Sequence, residues 1–272
     1  MIKILALHDV EHSSQSVIDL SCYLAKLNHS NITGVFPDYP SDNHSAYARF
    51  VSDDAPYVVE SKQKASRMED AIAHFREACE SQGIRCSIHR DTGDPESDII
   101  AESMFADVLV TQEDISFSEE DNQVPSELMT HLLTHAKCPI VLSPFAFLEP
   151  KEIVFAYDGT QSSMFALKQL SYLFPQLKDN PLIIMEVANE GDDVDTGTAK
   201  LREWLDGKFA HVEHVVREGD PSNCLLEVVL TRPEALLVLG AFGRNAVSRF
   251  FKPSVAGSII KFATIPVFIA HH

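Results

Sequence analysis

Short, continuous apolar runs alternate with amphipathic stretches along this chain. In its second half short β-rich runs fall at Ile153–Tyr157, Leu182–Val187, Val212–Arg217, Ala235–Leu239 and Pro266–Ala270. Helix-like stretches lie between them, at Ser162–Phe174, Thr196–Lys208, Pro221–Thr231 and Pro253–Ala263. Runs without polar interruption predict strands buried on both faces, and the intervening helices predict a parallel sheet covered on each side. In the first half, MIKILAL reads as a strand of the same kind. Further along, Met68, Ile72, Phe75 and Cys79 recur at helical spacing, with Gly83 as a stop signal.

The pattern repeats in detail. KILALHDVEHSSQS from Lys3 overlays EIVFAYDGTQSSMF from Glu152, placing Asp9 over Asp158 at an offset of 149. Gly93-Asp94-Pro95 overlays Gly219-Asp220-Pro221 at 126, and Pro125-Ser126 overlays Pro253-Ser254 at 128. Matched blocks in the same order identify two tandem copies. The fall in offset leaves about 23 extra residues in the first copy, within Tyr39–Ser81. The segment SPFAFLEPKE joins the copies. The expected fold is α/β: two tandem doubly wound domains, residues 1–144 and 151–272, each a five-stranded parallel sheet with helices on both faces. Ligands of such sheets bind outside the carboxyl ends of the strands, where strand order reverses. Asp9 and Asp158 end the first strand of their copies, where such a site begins.

Charge narrows the classes of partner. A net charge of −18 argues against nucleic acid and anionic membranes, which need clustered Lys and Arg. The excess is uneven, with 24 acids and 10 bases in residues 1–144 but 16 and 12 in the rest. If either copy binds a phosphorylated ligand, electrostatics favour the second. Five cysteines without a CxxC pair read as free, mostly buried thiols rather than as disulfides or a zinc site. No apolar run is long enough for a membrane helix and the first residues lack a basic start, so a cytoplasmic location is expected.

After the fourth apolar run of the second copy, Gly240 and Gly243 stand three apart, and nine residues later Pro253-Ser254 opens a helix. Glycines at a strand end let backbone N–H groups approach an anion, and a helix N-terminus adds free N–H groups. Arg244, Arg249 and Lys252 lie in the loop between, as counter-charges for phosphate. The second copy thus resembles the universal stress protein family. Its Asp158-Gly159-Thr160-Gln161-Ser162-Ser163, its Gly-x-x-Gly followed by a serine, and its closing Ile-Pro-Val-Phe-Ile are similar to that family's pattern. The first copy follows it more loosely.

The resemblance implies a Rossmann-like fold and ATP or another adenine nucleotide as ligand, with accompanying Mg²⁺ left open. It implies that Asp158 contacts the adenosine moiety and that Val187 meets adenine through its backbone. It also implies that Gly240, Gly243 and Ser254 hold phosphates, with Gly159, Thr160, Arg244 and Val255 among the binding residues. Members of the family commonly pair through their last strands. The copies are therefore expected to pair within one chain, through Pro139–Ser143 and Pro266–Ala270; pairing of whole chains stays open. One departure stands out. Pro253 occupies the place of the family's third glycine, where it removes an N–H from the cradle yet suits a first helical residue.

In the first copy Gly240 and Gly243 fall on Gln112 and Ile115, and the loop carries Glu113, Asp114, Glu119, Glu120 and Asp121. Carboxylates there repel phosphate. Asp9 then has two readings, a structural hydrogen bond or contact with an uncharged ligand. His131 and His135, four apart on one predicted helix face, read as surface or partly buried histidines before they read as zinc ligands, and so do His211 and His214. No catalytic residue and no metal ligand is assigned. The alternatives are an interaction or small-ligand module that has lost ATP, and a slow ATPase or self-phosphorylating enzyme.

Overall fold

The computed structural model of the chain describes residues 1–10, 14–38, 55–91, 93–116, 125–188, 195–240 and 259–270. The first copy runs β1 (Lys3–Leu7), α1 (Gln15–Asn28), β2 (Asn31–Pro37), α2 (Ala55–Ser81), β3 (Cys86–Asp91), α3 (Pro95–Ser103), β4 (Val108–Gln112), α4 (Glu127–His135) and β5 (Ile140–Ser143). The second runs β6 (Glu152–Tyr157), α5 (Gln161–Leu173), β7 (Leu182–Ala188), α6 (Asp195–Leu205), β8 (Val212–Glu218), α7 (Pro221–Thr231), β9 (Ala235–Gly240) and β10 (Val267–Ala270). Strands and helices expected in the second copy are found within a few residues of their predicted ends. One helix ends early because Gly207, at φ +69°, turns the chain out just beyond α6. Of the helix expected at Pro253–Ala263, residues 253–258 lie outside the described residues, and 259–262 are helical.

The strands form one ten-stranded sheet in the order β3-β2-β1-β4-β5-β10-β9-β6-β7-β8. Each five-stranded half is parallel, and the halves meet where β5 and β10 pair antiparallel, Val141 opposite Phe268. Both strands therefore have partners on either side, and among the described strands β3 and β8 are the edges. These edges carry Arg90 and Asp91, and Glu213, Arg217 and Glu218, which discourage further strand addition.

The pleat divides each strand between two cores. Leu5 and Leu7 join Leu109, Ile140, Val267 and Leu237 under α3, α4 and α7. Ile4 and Ala6 join Val110, Val141, Phe268 and Val238 under α1, α2, α5 and α6. Full burial of each such aliphatic side chain contributes roughly 1.5–3 kcal/mol. Both cores run unbroken from one copy into the other, and Asn28 Nδ2 donates to the carbonyl of Leu173 at 2.8 Å, tying the ends of α1 and α5.

The extra residues of the first copy lengthen a helix. α2 has 27 residues where α6 has 11, and Met68, Ile72, Phe75 and Cys79 form its buried stripe. Gly34 in β2 makes room for it, since a side chain there would lie 2.8 Å from the Phe75 ring. The shared Gly-Asp-Pro block also has a structural reason. Asp94 caps α3 by accepting from Ser97 N, Asp220 caps α7 by accepting from Ser222 and Asn223 N, and each is followed by the proline that opens the helix.

Candidate functional site

In each copy the first strand is central, and the chain builds outward on one side before crossing to the other. Strand order thus reverses between β1 and β4 in the first copy and between β6 and β9 in the second, the point at which sheets of this kind bind ligands outside their carboxyl ends. Asp9 and Gln112 flank that point in the first copy; Asp158 and Gly240 flank it in the second.

At the end of β6, the side chain of Asp158 folds over the following turn. Its Oδ1 accepts from Thr160 N at 3.0 Å and from Thr160 Oγ1 at 2.6 Å. Such a turn needs a short acceptor side chain at its start, and Gly159 between them takes φ +74° with open space beside it. Thr160 is in turn the cap of α5, accepting from Ser163 N at 3.2 Å. The first turn of α5 therefore points its N-terminal end at the switch point, held by the same three residues.

Gly240 ends β9 directly beneath that turn. A side chain at position 240 would collide with the backbone of Ser162 and Ser163. Glycine is required here for close approach of helix and strand, a reason additional to the phosphate contact that the sequence suggests. Val187 follows Glu186, the last β7 residue paired with β6, so Val187 and Asp158 lie side by side at the strand ends. The Val187 side chain is buried. Gly243, Arg244, Ser254 and Val255, with Arg249, Lys252 and Pro253, lie outside the described residues.

One cluster at this end was not singled out in the sequence. Glu186 pairs with His214 Nε2 at 3.1 Å, and burial, Glu186 and Asp158 together push the Tyr157 hydroxyl above its ordinary pKa. Strand register makes the cluster, with Tyr157 opposite Glu186 and His214 opposite Ile184. Alternation along β7 and β8 carried the signal, but only pairing could join residues 28 apart.

The first copy is closed at the same place. His8 overlays Tyr157, and its ring stacks on Phe36 at 4.8 Å and meets Phe75 edge-on at 5.1 Å. Burial, reinforced by His74, lowers its pKa to about 3, so the ring is neutral. Asp9 beside it is also buried. Gln112 stands where the second copy has Gly240, and α1 begins three positions later than α5 under the alignment. Ile115, which overlays Gly243, is fully buried. Ser126, which overlays Ser254, caps α4 through Met129 N and donates its hydroxyl to the Ile115 carbonyl at 2.5 Å. In the first copy this serine therefore binds its own loop. Glu113 on that loop is half-buried, and burial with Asp114 beside it pushes its pKa up to about 7; Glu119, Glu120 and Asp121 lie outside the described residues.

The histidine pairs go elsewhere. His131 and His135 stack at 4.2 Å on the outside of α4, with His131 3.6 Å from Glu96, and His211 is exposed. Among the described residues no group of three His, Cys, Asp or Glu could hold a metal ion, and no helix is long and apolar enough to cross a membrane.

Comparison with known proteins agrees with the fold. Residues 150–271 match the model of the Universal stress protein family. A universal stress protein from Archaeoglobus fulgidus is similar in structure over 99% of this chain and 98% of its own, at 18% identity and a TM-score of 0.69. A putative universal stress protein from Pseudomonas aeruginosa is similar over 100% of this chain and 93% of its own, at 10% identity and a TM-score of 0.61. One from Arabidopsis thaliana, solved with AMP bound, aligns with 52% of this chain and 89% of its own, at 16% identity and a TM-score of 0.35. No curated protein matches the chain by sequence. At such identities the structural likeness speaks to fold alone.

Proposed function

We propose that this chain, which belongs to the universal stress protein family through residues 150–271, binds an adenine nucleotide in its second copy and keeps the first as a fixed partner. The observation that carries the reading is the Asp158-Gly159-Thr160 turn, which aims the first turn of α5 at the switch point between β6 and β9. A carboxylate can accept several hydrogen bonds, so Asp158, oriented by Thr160, also accepts from ribose hydroxyls. The backbone at Val187 meets adenine. Gly240, Gly243, Arg244, Ser254 and Val255 take the phosphates, with Arg249 and Lys252 as nearby cations. Mg²⁺ would offset triphosphate charge. The role is regulatory: occupancy, rather than turnover, is the signal, and the two copies act as one built-in pair across the β5–β10 edge.

The protein as purified tests this. Acid extraction and chromatography should release an adenine nucleotide. On stripped protein, ATP with Mg²⁺ at about 100 times its Kd should add about 2.7 kcal/mol, several degrees of thermal shift. Asp158→Ala should weaken binding by about tenfold or more, the loss of one good hydrogen bond to a charged group. Neither nucleotide nor shift would sink the reading and favour a ligand of another class.

A further inference from the structure

Three of the five cysteines meet in the first copy. Cys22 lies on α1, Cys79 near the end of α2 and Cys86 at the start of β3. Cys22 and Cys79 are fully buried in the core beneath α1 and α2, and Cys86 packs against that core from a half-buried position. Cys79 lies close enough to both of the others for each thiol to bear on the ionisation of its neighbour. The connection that brings Cys79 and Cys86 together is tight: Ile84 N donates back to the Cys79 carbonyl at 2.9 Å, and Gly83 turns the chain at φ +71°. The second copy has Ser171, Leu205 and Val212 at the corresponding positions, so the cluster belongs to the first copy alone. Cys138 is buried apart from it, and Cys224 is half-buried on α7.

Thiols in contact, one reaching solvent and its neighbour buried, are arranged for oxidation followed by resolution. We propose that Cys86 and Cys79 are a peroxide-responsive pair, Cys86 taking the oxidant and Cys79 resolving it as a disulfide. Hydrogen peroxide is the co-reactant. The Cys86 thiolate attacks one peroxide oxygen and breaks the O–O bond, giving a sulfenic acid and hydroxide. Cys79 then attacks the Cys86 sulfur; the S–O bond breaks, the S–S bond forms, and the hydroxyl leaves with the Cys79 proton as water. Two electrons pass from the thiol pair to the peroxide.

Burial pushes the Cys86 thiol up, against the neighbouring Cys79 and the Arg76 guanidinium; Glu80 and Cys22 also face it. The reaction is therefore slow at neutral pH and quickens as pH rises, because the thiolate is the nucleophile. Its product locks α2 to β3 in the one element that the second copy has only in short form.

The full chain, treated with hydrogen peroxide, alkylated and digested with trypsin without reductant, gives a direct readout. Cleavage at Arg76, Arg85 and Arg90 puts Cys79 and Cys86 on separate peptides, so their disulfide appears as one joined species. That species should exceed any involving Cys138 or Cys224 by roughly tenfold, and should form faster at pH 9 than at pH 7. In Cys79→Ser it should vanish, while a sulfenic-acid trap labels Cys86. The proposal fails if the unmutated chain carries Cys86 as sulfinic acid without the Cys79 link. It fails equally if Cys224 is consumed while Cys86 stays reduced.

Discussion

At the end of β1, Asp9 follows a histidine sunk between two phenylalanines; at the end of β6, Asp158 follows a tyrosine and lies half-open over the first turn of α5. The aspartates occupy the same place in the same fold, so topology alone does not make a site. What differs is how the surrounding chain was spent. In the first copy, long α2 brings Phe75 against His8, Ile115 enters the core, and Ser126 ties the loop shut. In the second, α5 starts three positions earlier, Gly240 lets it close on β9, and the Asp158 turn keeps the helix end presented to the switch point.

The largest difference should show in acid. His8 has its pKa lowered from 6.5 to about 3, so between those values the unfolded chain binds a proton that the native chain refuses. Its neutral burial is fully tolerated above pH 6.5, and stability falls as pH drops from 6.5 toward 3, by on the order of a few kcal/mol. Denaturant melts across this range should show the fall, and His8→Phe should flatten it. An unchanged slope in that variant would mean that His8 is not the buried neutral ring.

Packing at the switch point should give the next effect. Gly240→Val drives a side chain into the α5 backbone and should cost about 1–3 kcal/mol. Gln112→Gly, at the matching position, should cost under about 1 kcal/mol, the penalty of glycine in a strand. Equal costs would deny that α5 closes more tightly than α1. Between the two lies Ser126→Ala, which removes a cap and a buried hydrogen bond for about 1–2 kcal/mol. Urea titration should find that loss with nucleotide affinity unaltered.

Much of this was legible in sequence. The Asp9/Asp158 and Pro-Ser matches reveal the duplication, and uninterrupted apolar runs such as LLVLG reveal strands buried on both faces. The stripe Met68, Ile72, Phe75 and Cys79 marks α2, because only a helix gathers that spacing onto one face. What was not legible depends on register and on non-local packing. Glu186 meets His214, and His8 meets Phe75, only after strands pair and helices dock. The motif at Gly240 was readable as a phosphate turn, but its contact with Ser162 and Ser163 needed the third dimension. Ser126 and Ser254 both follow a proline in sequence, and the buried Ile115 carbonyl shows how Ser126 is already engaged.

The claim that the two copies share a fold but not a site is most directly tested by calorimetric titration of the stripped chain with ATP and Mg²⁺. Three proteins suffice: the unmodified chain, Asp158→Ala and Asp9→Ala. The account predicts one nucleotide per chain, lost or weakened about tenfold or more in Asp158→Ala and unaltered in Asp9→Ala. Two nucleotides per chain, or binding that depends on Asp9 and not on Asp158, would contradict it.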